Sequence, residues 1–401
     1  MSQTDVVHPG SAAGVHRVRS FAAARAILRA RHATAQAGFT AERIPQGWFR
    51  HRPILISDGP AHDSQRRALA RFFAPAVIDD RYADDIASAA QAIVDEAVGA
   101  GRCRLDDAAL LYTVGVTARI VGLTEAPVPA LASRLTAFFR QPPVDLAAPN
   151  WGRTRRQWLQ AAVNGLLPLA AFHLADVLPA IRAHRRTPSD DVISHLIDAG
   201  SSTADILVEC VTYGTAGMVT TREFISFAAW RLLTDDRLRR DYLGAARDVR
   251  LALLEEIIRV EPIVAHLYRR AREDLTIDGD GQTTTIRTGD LVDIDVAAAN
   301  VDPEAFGPDA EAVCPARAEH RGERGRPRTV LPAGLSFSDG AHRCPGQPLA
   351  LIVTDALLHR LLACEPTLLT TPVIGYESVT AGAHLRGLDL GFTVPSRPRR
   401  R

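Results

Sequence analysis

From residue 80 to residue 200, apolar residues return every three or four positions, and the pattern predicts a run of helices. Ala90, Ile93, Val94 and Ala97 fall on one face of a helix over Ile86 to Val98, and Leu105 to Ile120 offers a second apolar face. Pro127, Pro129, Pro142, Pro143 and Pro149 break the run. The stretch 140–185 is expected to form a lid over a pocket. Ala204 to Leu233 is apolar almost all round, which predicts a helix through the core. A further helix carries Leu253 to Arg259 and ends at Pro262, and Leu349 to Leu362 gives the last helical pattern.

Strand signals are fewer and shorter. Val15 to Val18 reads as a strand, after which Ser20 caps a helix through about Arg31. Leu275 to Ile277, Thr283 to Ile286 and Leu291 to Val296 alternate between turn residues and predict a small antiparallel sheet. Gly382 to Val394 reads as a final hairpin with Leu388 at its tip. Residues 1–13 read as disordered. Residues 34–53 lack a period, which suits a pocket-lining loop or a surface connection. The whole predicts a mainly α (α+β) protein, one domain over residues 1–401, with Arg397 to Arg401 as a solvated basic tail.

Composition narrows the functions. Nearly half of the 401 residues are hydrophobic and the formal net charge is +1, so a large core is possible and no nucleic-acid field is suggested. All cations among the 47 Lys+Arg are arginines, which excludes Schiff-base lysines and phosphate-loop lysines. Cys103, Cys210, Cys314, Cys344 and Cys364 are scattered without CxxC spacing, against a disulfide framework or a zinc site. No segment reads as a signal peptide or reaches membrane-spanning length, so a soluble cytoplasmic protein without a membrane anchor is expected.

The candidate chemistry centres on Phe337-Ser-Asp-Gly-Ala-His-Arg-Cys-Pro-Gly346, ahead of the last helix. A cysteine at a loop-to-helix junction sits near free backbone N–H groups and the positive end of the helix dipole, and both favour thiolate. Gly340 and Gly346 let backbone approach a large flat object, and Phe337 can shield the sulfur from water. That set suits haem iron held by one axial thiolate. His62 and Arg66 stand four apart on one helical face, a pair able to bind a carboxylate. The core helix carries small residues at Tyr213-Gly-Thr-Ala-Gly-Met-Val-Thr-Thr221, where Gly217 allows close approach and Thr220 can bond back to a helix carbonyl or donate to a ligand. Glu256 and Arg259 lie three apart among Leu253, Leu254, Ile257 and Ile258, and such a pair needs a further partner when buried.

The cysteine stretch resembles the haem-binding loop of the cytochrome P450 family, F-x-x-G-x-H/R-x-C-x-G, at Phe337, Gly340, His342, Cys344 and Gly346. His62 and Arg66 resemble its H-x-x-x-R, and Ala216-Gly217 with Thr220 its A/G-G-x-D/E-T-T. Glu256 and Arg259 resemble its E-x-x-R, with Arg317 as third member. The resemblance runs from about Val15 to Val394. It implies the P450 fold, a helical domain with small sheets around a buried haem b, with a shortened amino end that lacks the family's first helix and strand. It implies that Cys344 ligates iron, that His62, Arg66, Arg269 (Arg270 as fallback) and His342 hold the propionates, and that Thr220 handles oxygen. Glu256, Arg259 and Arg317 would brace the cysteine loop. Tyr213, Val219, Ile263, Val264, His266 and Leu388 would face the substrate. The chain departs from the pattern at Val219, where the family carries an acid. A soluble bacterial-type monooxygenase is implied, using O2 and electrons from a ferredoxin and its reductase on a small natural-product-like molecule. Oxidative coupling or cyclisation, peroxide-driven chemistry and a non-enzymatic haem sensor are the alternatives.

Overall fold

The computed structural model describes residues 7–9, 14–38, 53–146, 148–279, 282–314, 317, 331–377 and 381–393. The basic tail at 397–401, Val394 and most of the segments 1–13 and 34–53 lie outside them. Two of the loop expectations fail within them. Val7–Pro9 (β1) pairs antiparallel with Val15–Val18 (β2), and Thr34–Ala37 (β3) pairs antiparallel with His266–Ala271 (β5). Both are short strands that alternation is too brief to reveal; register with a partner distant in sequence makes them.

Phe21–Arg29 (α1) starts at Ser20, whose hydroxyl accepts the Ala23 N–H. Gly59–Phe73 (α2) and Pro75–Val77 (α3) lead to Ala83–Ala100 (α4), which stops at Gly101 in the left-handed region, φ 70°. After Arg102–Arg104 (β4) come Leu105–Val121 (α5), Val128–Ala137 (α6), Arg155–Phe172 (α7), Leu178–Arg186 (α8) and Val192–Asp198 (α9). The run 155–186 is helical throughout and is long and apolar enough to cross a membrane, with only 22% of its apolar window buried. The expectation that no segment reaches that length is corrected here. Inside the run Pro168 is carried rather than breaking it, and the C-terminal part is tied to the fold by Arg134, whose guanidinium reaches Asp176 at 2.5 and 2.6 Å.

Thr203–Thr212 (α10), a π-helical stretch Tyr213–Val219 and Thr220–Thr234 (α11) make the expected core helix. Ser202 and Asp205 form a capping box at its start. The widened turns fall where the small residues lie, and the hydroxyls of Thr212, Thr215, Thr220 and Thr221 each donate to the carbonyl four residues back. Gly214 is the sterically enforced glycine there: a Cβ would stand 2.5 Å from Leu135 Cδ2, whereas one at Gly217 meets only Thr117 at 3.8 Å.

Asp236–Gly244 (α12) and Arg247–Val260 (α13) precede the sheets. Leu275–Gly279 (β6) and Gln282–Ile286 (β7) form their own hairpin, while Leu291–Asp295 (β8) joins β5 antiparallel and β2 parallel. The expected single antiparallel sheet is thus two sheets, one of them mixed, in the order β1-β2-β8-β5-β3. Val296–Asn300 (α14) and Pro303–Phe306 (α15) follow, then Gln347–Ala363 (α16). Thr367–Leu368 (β9), Val373–Glu377 (β10), Gly382–Arg386 (β11) and Asp389–Gly391 (β12) close the chain. The terminal hairpin is β10 with β11; β12 turns away to pair with β4 and β9.

The main core gathers α4, α5, α11, α13 and α16 around residues such as Ile86, Tyr112, Phe224, Leu254 and Leu357. Leu388, expected at a hairpin tip over the pocket, is fully buried in this core. Its N–H donates to Asp106 Oδ1 at 3.0 Å and its carbonyl accepts from the Leu105 N–H at 2.8 Å. It packs; it does not face a substrate.

Candidate active site

The cysteine loop is held from several sides. Arg25 and Arg29 of α1 both donate through Nε to Asp339 Oδ2, at 2.8 and 2.9 Å, and Asp339 Oδ1 receives the Gly340 N–H at 2.8 Å. Gly340 has φ 70°, and a Cβ there would fall 2.4 Å from the Leu28 carbonyl oxygen. The close approach that this glycine permits within the protein is to α1. Behind the loop, Arg259 is fully buried and donates to Glu256 at 2.9 and 2.7 Å and to the Asn300 and Ala310 carbonyls at 2.6 and 2.7 Å. Arg317 Nε reaches Glu256 Oε1 at 2.7 Å. Asn300 joins the brace, with its amide on the Arg259 carbonyl and its oxygen on the Leu335 N–H.

The Cys344 N–H donates to the Phe337 carbonyl at 2.8 Å, closing the loop. Its sulfur receives the backbone N–H groups of Gly346 and Gln347. Burial raises the thiol nonetheless, outweighing those N–H groups and the Arg66 and Arg343 guanidinium charges. The residue is itself exposed at the loop, and a cation bonded to sulfur would favour the thiolate. A cavity of about 920 Å³ opens at Cys344, lined by Arg66, Phe73, Leu251, Glu255 and Leu351 among others. Ala216 and Thr220 do not line it.

His62 and Arg66 stand on α2, and His342 of the cysteine loop meets His62. His62 is buried and its ring lies 4.3 Å from that of His342, centroid to centroid. Burial and the neighbouring His342 lower the His62 pKa. His342 Nε2 pairs with Asp58 Oδ1 at 3.0 Å. Burial pushes Asp58 up, but bonding to His342 and the charge of Arg272 outweigh it, and the carboxyl sits below its usual range. Arg66 donates to the Arg343 carbonyl. Strand β5 turns Arg269 inward, 2% exposed, and Arg270 outward. Arg269 Nη1 donates to the Tyr268 carbonyl at 2.9 Å, but Nη2 has no partner among the described residues. Burial lowers this guanidinium to about 10. The charge acting on this buried guanidinium is that of the Asp58 carboxylate, which also holds His342, and the free Nη2 can donate to a further acceptor.

On the core helix, Ala216 is exposed although its helix runs through the protein, and Val219 is 4% exposed. Thr220 donates to the Ala216 carbonyl at 2.5 Å, the helix-bonded alternative. Tyr213 stacks on Phe73 of α2, centroids 5.7 Å apart at 23°. Ile263 is a core residue; Val264 and Ala265 follow it, and Ala265 bonds the Ala381 carbonyl at 2.9 Å. His266 Nδ1 contacts Asp293 Oδ1 at 2.7 Å, a carboxylate partner the sequence reading did not name, and its pKa is raised: burial lowers it, but Asp293 outweighs that.

This geometry matches known proteins. The family profile described as Cytochrome P450 matches residues 250–364, from α13 through the cysteine loop to the end of α16. Over that stretch the chain is similar to the cytochrome P450 family. It is 29% identical over 254 residues to Cytochrome P450 130 of Mycobacterium tuberculosis, a match covering 58% of each chain and so less than two thirds of that relative's own length. It is 31% identical over 193 residues to the mycinamicin IV hydroxylase/epoxidase of Micromonospora griseorubida, covering 46% and 44%. Among solved structures, P450 EryK in complex with erythromycin B superposes with TM-score 0.77 at 21% identity, over 98% of this chain and 95% of that one, which establishes the P450 fold.

The P450 prosthetic group fits the residues present. Cys344 supplies a sulfur, Arg269 and Arg66 supply guanidinium groups, and His62 and His342 supply ring N–H donors suited to carboxylates. Asp58 and Asn300 were missed as members of these networks. Their signals were the turn before α2 and the segment Ala299 to Pro303, whose side chains have structural rather than chemical roles.

Proposed function

We propose that the protein is a haem-thiolate monooxygenase that inserts one oxygen atom from O2 into a small, largely apolar natural-product-like molecule. The observation that carries this is the pairing of Cys344, on its braced loop, with a fully buried Arg269 whose Nη2 lacks an acceptor. In this reading Cys344 ligates the iron, while His62, Arg66, Arg269 and His342 hold the propionates. Phe337 packs beside the loop and Ala216 with Gly217 leaves room on the opposite side. A bound haem thiolate supplies O2 activation, the sulfur favouring O–O cleavage.

The chain's own residues then orient and exclude. Val219 and Ile263 keep the distal side apolar and poor in water. Thr220 can turn its hydroxyl from the Ala216 carbonyl toward a ligand and carry a proton at Oγ1. Electrons come from a separate ferredoxin and reductase, and the enzyme works in the cytoplasm. The names of the relatives support a natural-product substrate, since one is a mycinamicin hydroxylase/epoxidase.

A buried valine where an acid is expected favours a second reading, oxidative coupling or peroxide use without oxygen insertion. Incubation under 18O2 with surrogate ferredoxin separates them: label in the product supports insertion, and unlabelled product overturns it. Carbon monoxide binding without any turnover would instead support a haem sensor.

A further inference from the structure

Glu209 has no part in the chemistry above. It stands on α10, four residues before Tyr213, where the π-helical stretch leading to Thr220 begins. It is 6% exposed. Oε1 accepts the Ile54 N–H at 3.0 Å, which lays the segment leading into α2 across the helix. Oε2 is buried and has no partner among the described residues. Buried polar atoms are bonded as a rule, and an orphan bears its full desolvation cost unless a ligand meets it.

No cation among the described residues is bonded to the carboxyl. Burial raises the carboxyl to about 7, the Ile54 N–H opposes this only in part, and neighbouring Asp205 adds to it. What would complete the site is a cation carrying an N–H donor.

Resting on the monooxygenase reading, we propose that Glu209 is a specificity residue: its free oxygen receives the N–H of a protonated amine at one end of the substrate, while the carbon to be oxidised lies toward Thr220. Eleven α-helical steps would span about 16 Å, and the π-helical stretch shortens this. The substrate class is therefore an elongated, largely apolar molecule with a basic nitrogen remote from the oxidised carbon.

The test is calorimetric titration of the full chain, expressed with ample haem. One probe is N,N-dimethyldodecylamine, below its micelle concentration, and the other is lauric acid, its anionic counterpart. The amine is expected to bind at least tenfold tighter than the acid. Glu209→Gln, which keeps an acceptor for Ile54, should lose at least tenfold for the amine and leave the acid within twofold. An amine that binds no tighter than the acid in the unmodified protein overturns the inference, whatever the variant does. So does an equal loss for both probes, which marks a structural role. The ferrous carbonyl spectrum, recorded on the same samples, tests the haem reading separately. A thiolate band without amine preference sinks Glu209 alone, and amine preference without the band sinks the haem reading alone.

Discussion

Arg66 Nη2 donates to the Arg343 carbonyl at 2.5 Å, joining α2 to the residue directly ahead of Cys344. The bond is made by a guanidinium more than half surrounded by protein, and burial lowers its pKa while the neighbouring Cys344 opposes this. Arg66 thus positions the cysteine loop and, in the proposed reading, presents charge toward a propionate. Arg66→Met keeps the stem and removes both functions. It should lower haem retained per protein severalfold after desalting, measured by pyridine haemochromogen. Arg67→Met is the control: the exposed Arg67 bonds the Asp63 carbonyl at 3.3 Å and should retain haem as the parent does.

Cys344 is the one cysteine whose sulfur lies on the large cavity among the described residues. Cys344→Ala should abolish the thiolate signature of the ferrous carbonyl complex. Cys103→Ala and Cys364→Ala, at sites far from that cavity, should leave the band in place. Burial raises the Cys103 thiol to about 11, so that residue is inert at neutral pH.

In the proposed reading, Thr220 and Val219 govern proton delivery to the distal side. The Thr220 hydroxyl rests on the Ala216 carbonyl and Val219 is buried and apolar. Thr220→Ala should lower product formed per electron pair severalfold, while Thr220→Ser should restore most of it. An unchanged coupling ratio would make the hydroxyl a helix-bending group only. Val219→Asp should reduce the solvent isotope effect on turnover relative to Val219→Asn, at some cost in stability from burying a polar group.

The sequence made the long elements and the ligand legible, because each rests on local information. Helical period reveals the core helix, and a cysteine between two glycines after Phe337 reveals the haem loop. The same local reading misplaced Leu388, since its burial depends on β4 and Asp106, more than 280 residues earlier. It also could not show that the atom a Cβ at Gly340 would meet belongs to Leu28 of α1, far earlier in the chain. Glu209 carried no motif; only its unbonded oxygen, visible in three dimensions, distinguishes it from any helix glutamate. The π-helical stretch was foreshadowed by Gly214 and Gly217, but its register follows from packing against Leu135 and from Thr113, whose hydroxyl bonds the Met218 carbonyl at 2.9 Å.

Glu256 tests the brace behind the loop. It receives Arg259 and Arg317, and Arg259 has no exposed surface. Glu256→Gln removes the charge and leaves a buried guanidinium on neutral carbonyls. Breaking a buried pair in this way costs about 3–5 kcal/mol. Urea denaturation should show a loss of that size, with haem lost in the same transition. A loss under about 1 kcal/mol would mean the carbonyls of Asn300 and Ala310 suffice for Arg259.

His184 gives the fold a pH dependence of known sign. Its Nε2 lies 2.5 Å from Asp191 Oδ2 and its Nδ1 2.9 Å from the Ala180 carbonyl, and the ring is buried. Bonding to Asp191 raises its pKa above the usual 6.5, with burial opposing. A raised folded value means the imidazolium is favoured in the native state. Its contribution is full below 6.5 and is lost as pH rises through the folded value. The pair links α8 to α9 beside Gly122, where a Cβ would meet both side chains at 2.8 Å. The melting temperature should therefore fall between pH 6 and pH 8.5, and Asp191→Asn should flatten that fall while lowering stability most at the acid end. If the variant and the parent lose the same number of degrees over this range, the dependence arises from other histidines and not from this pair.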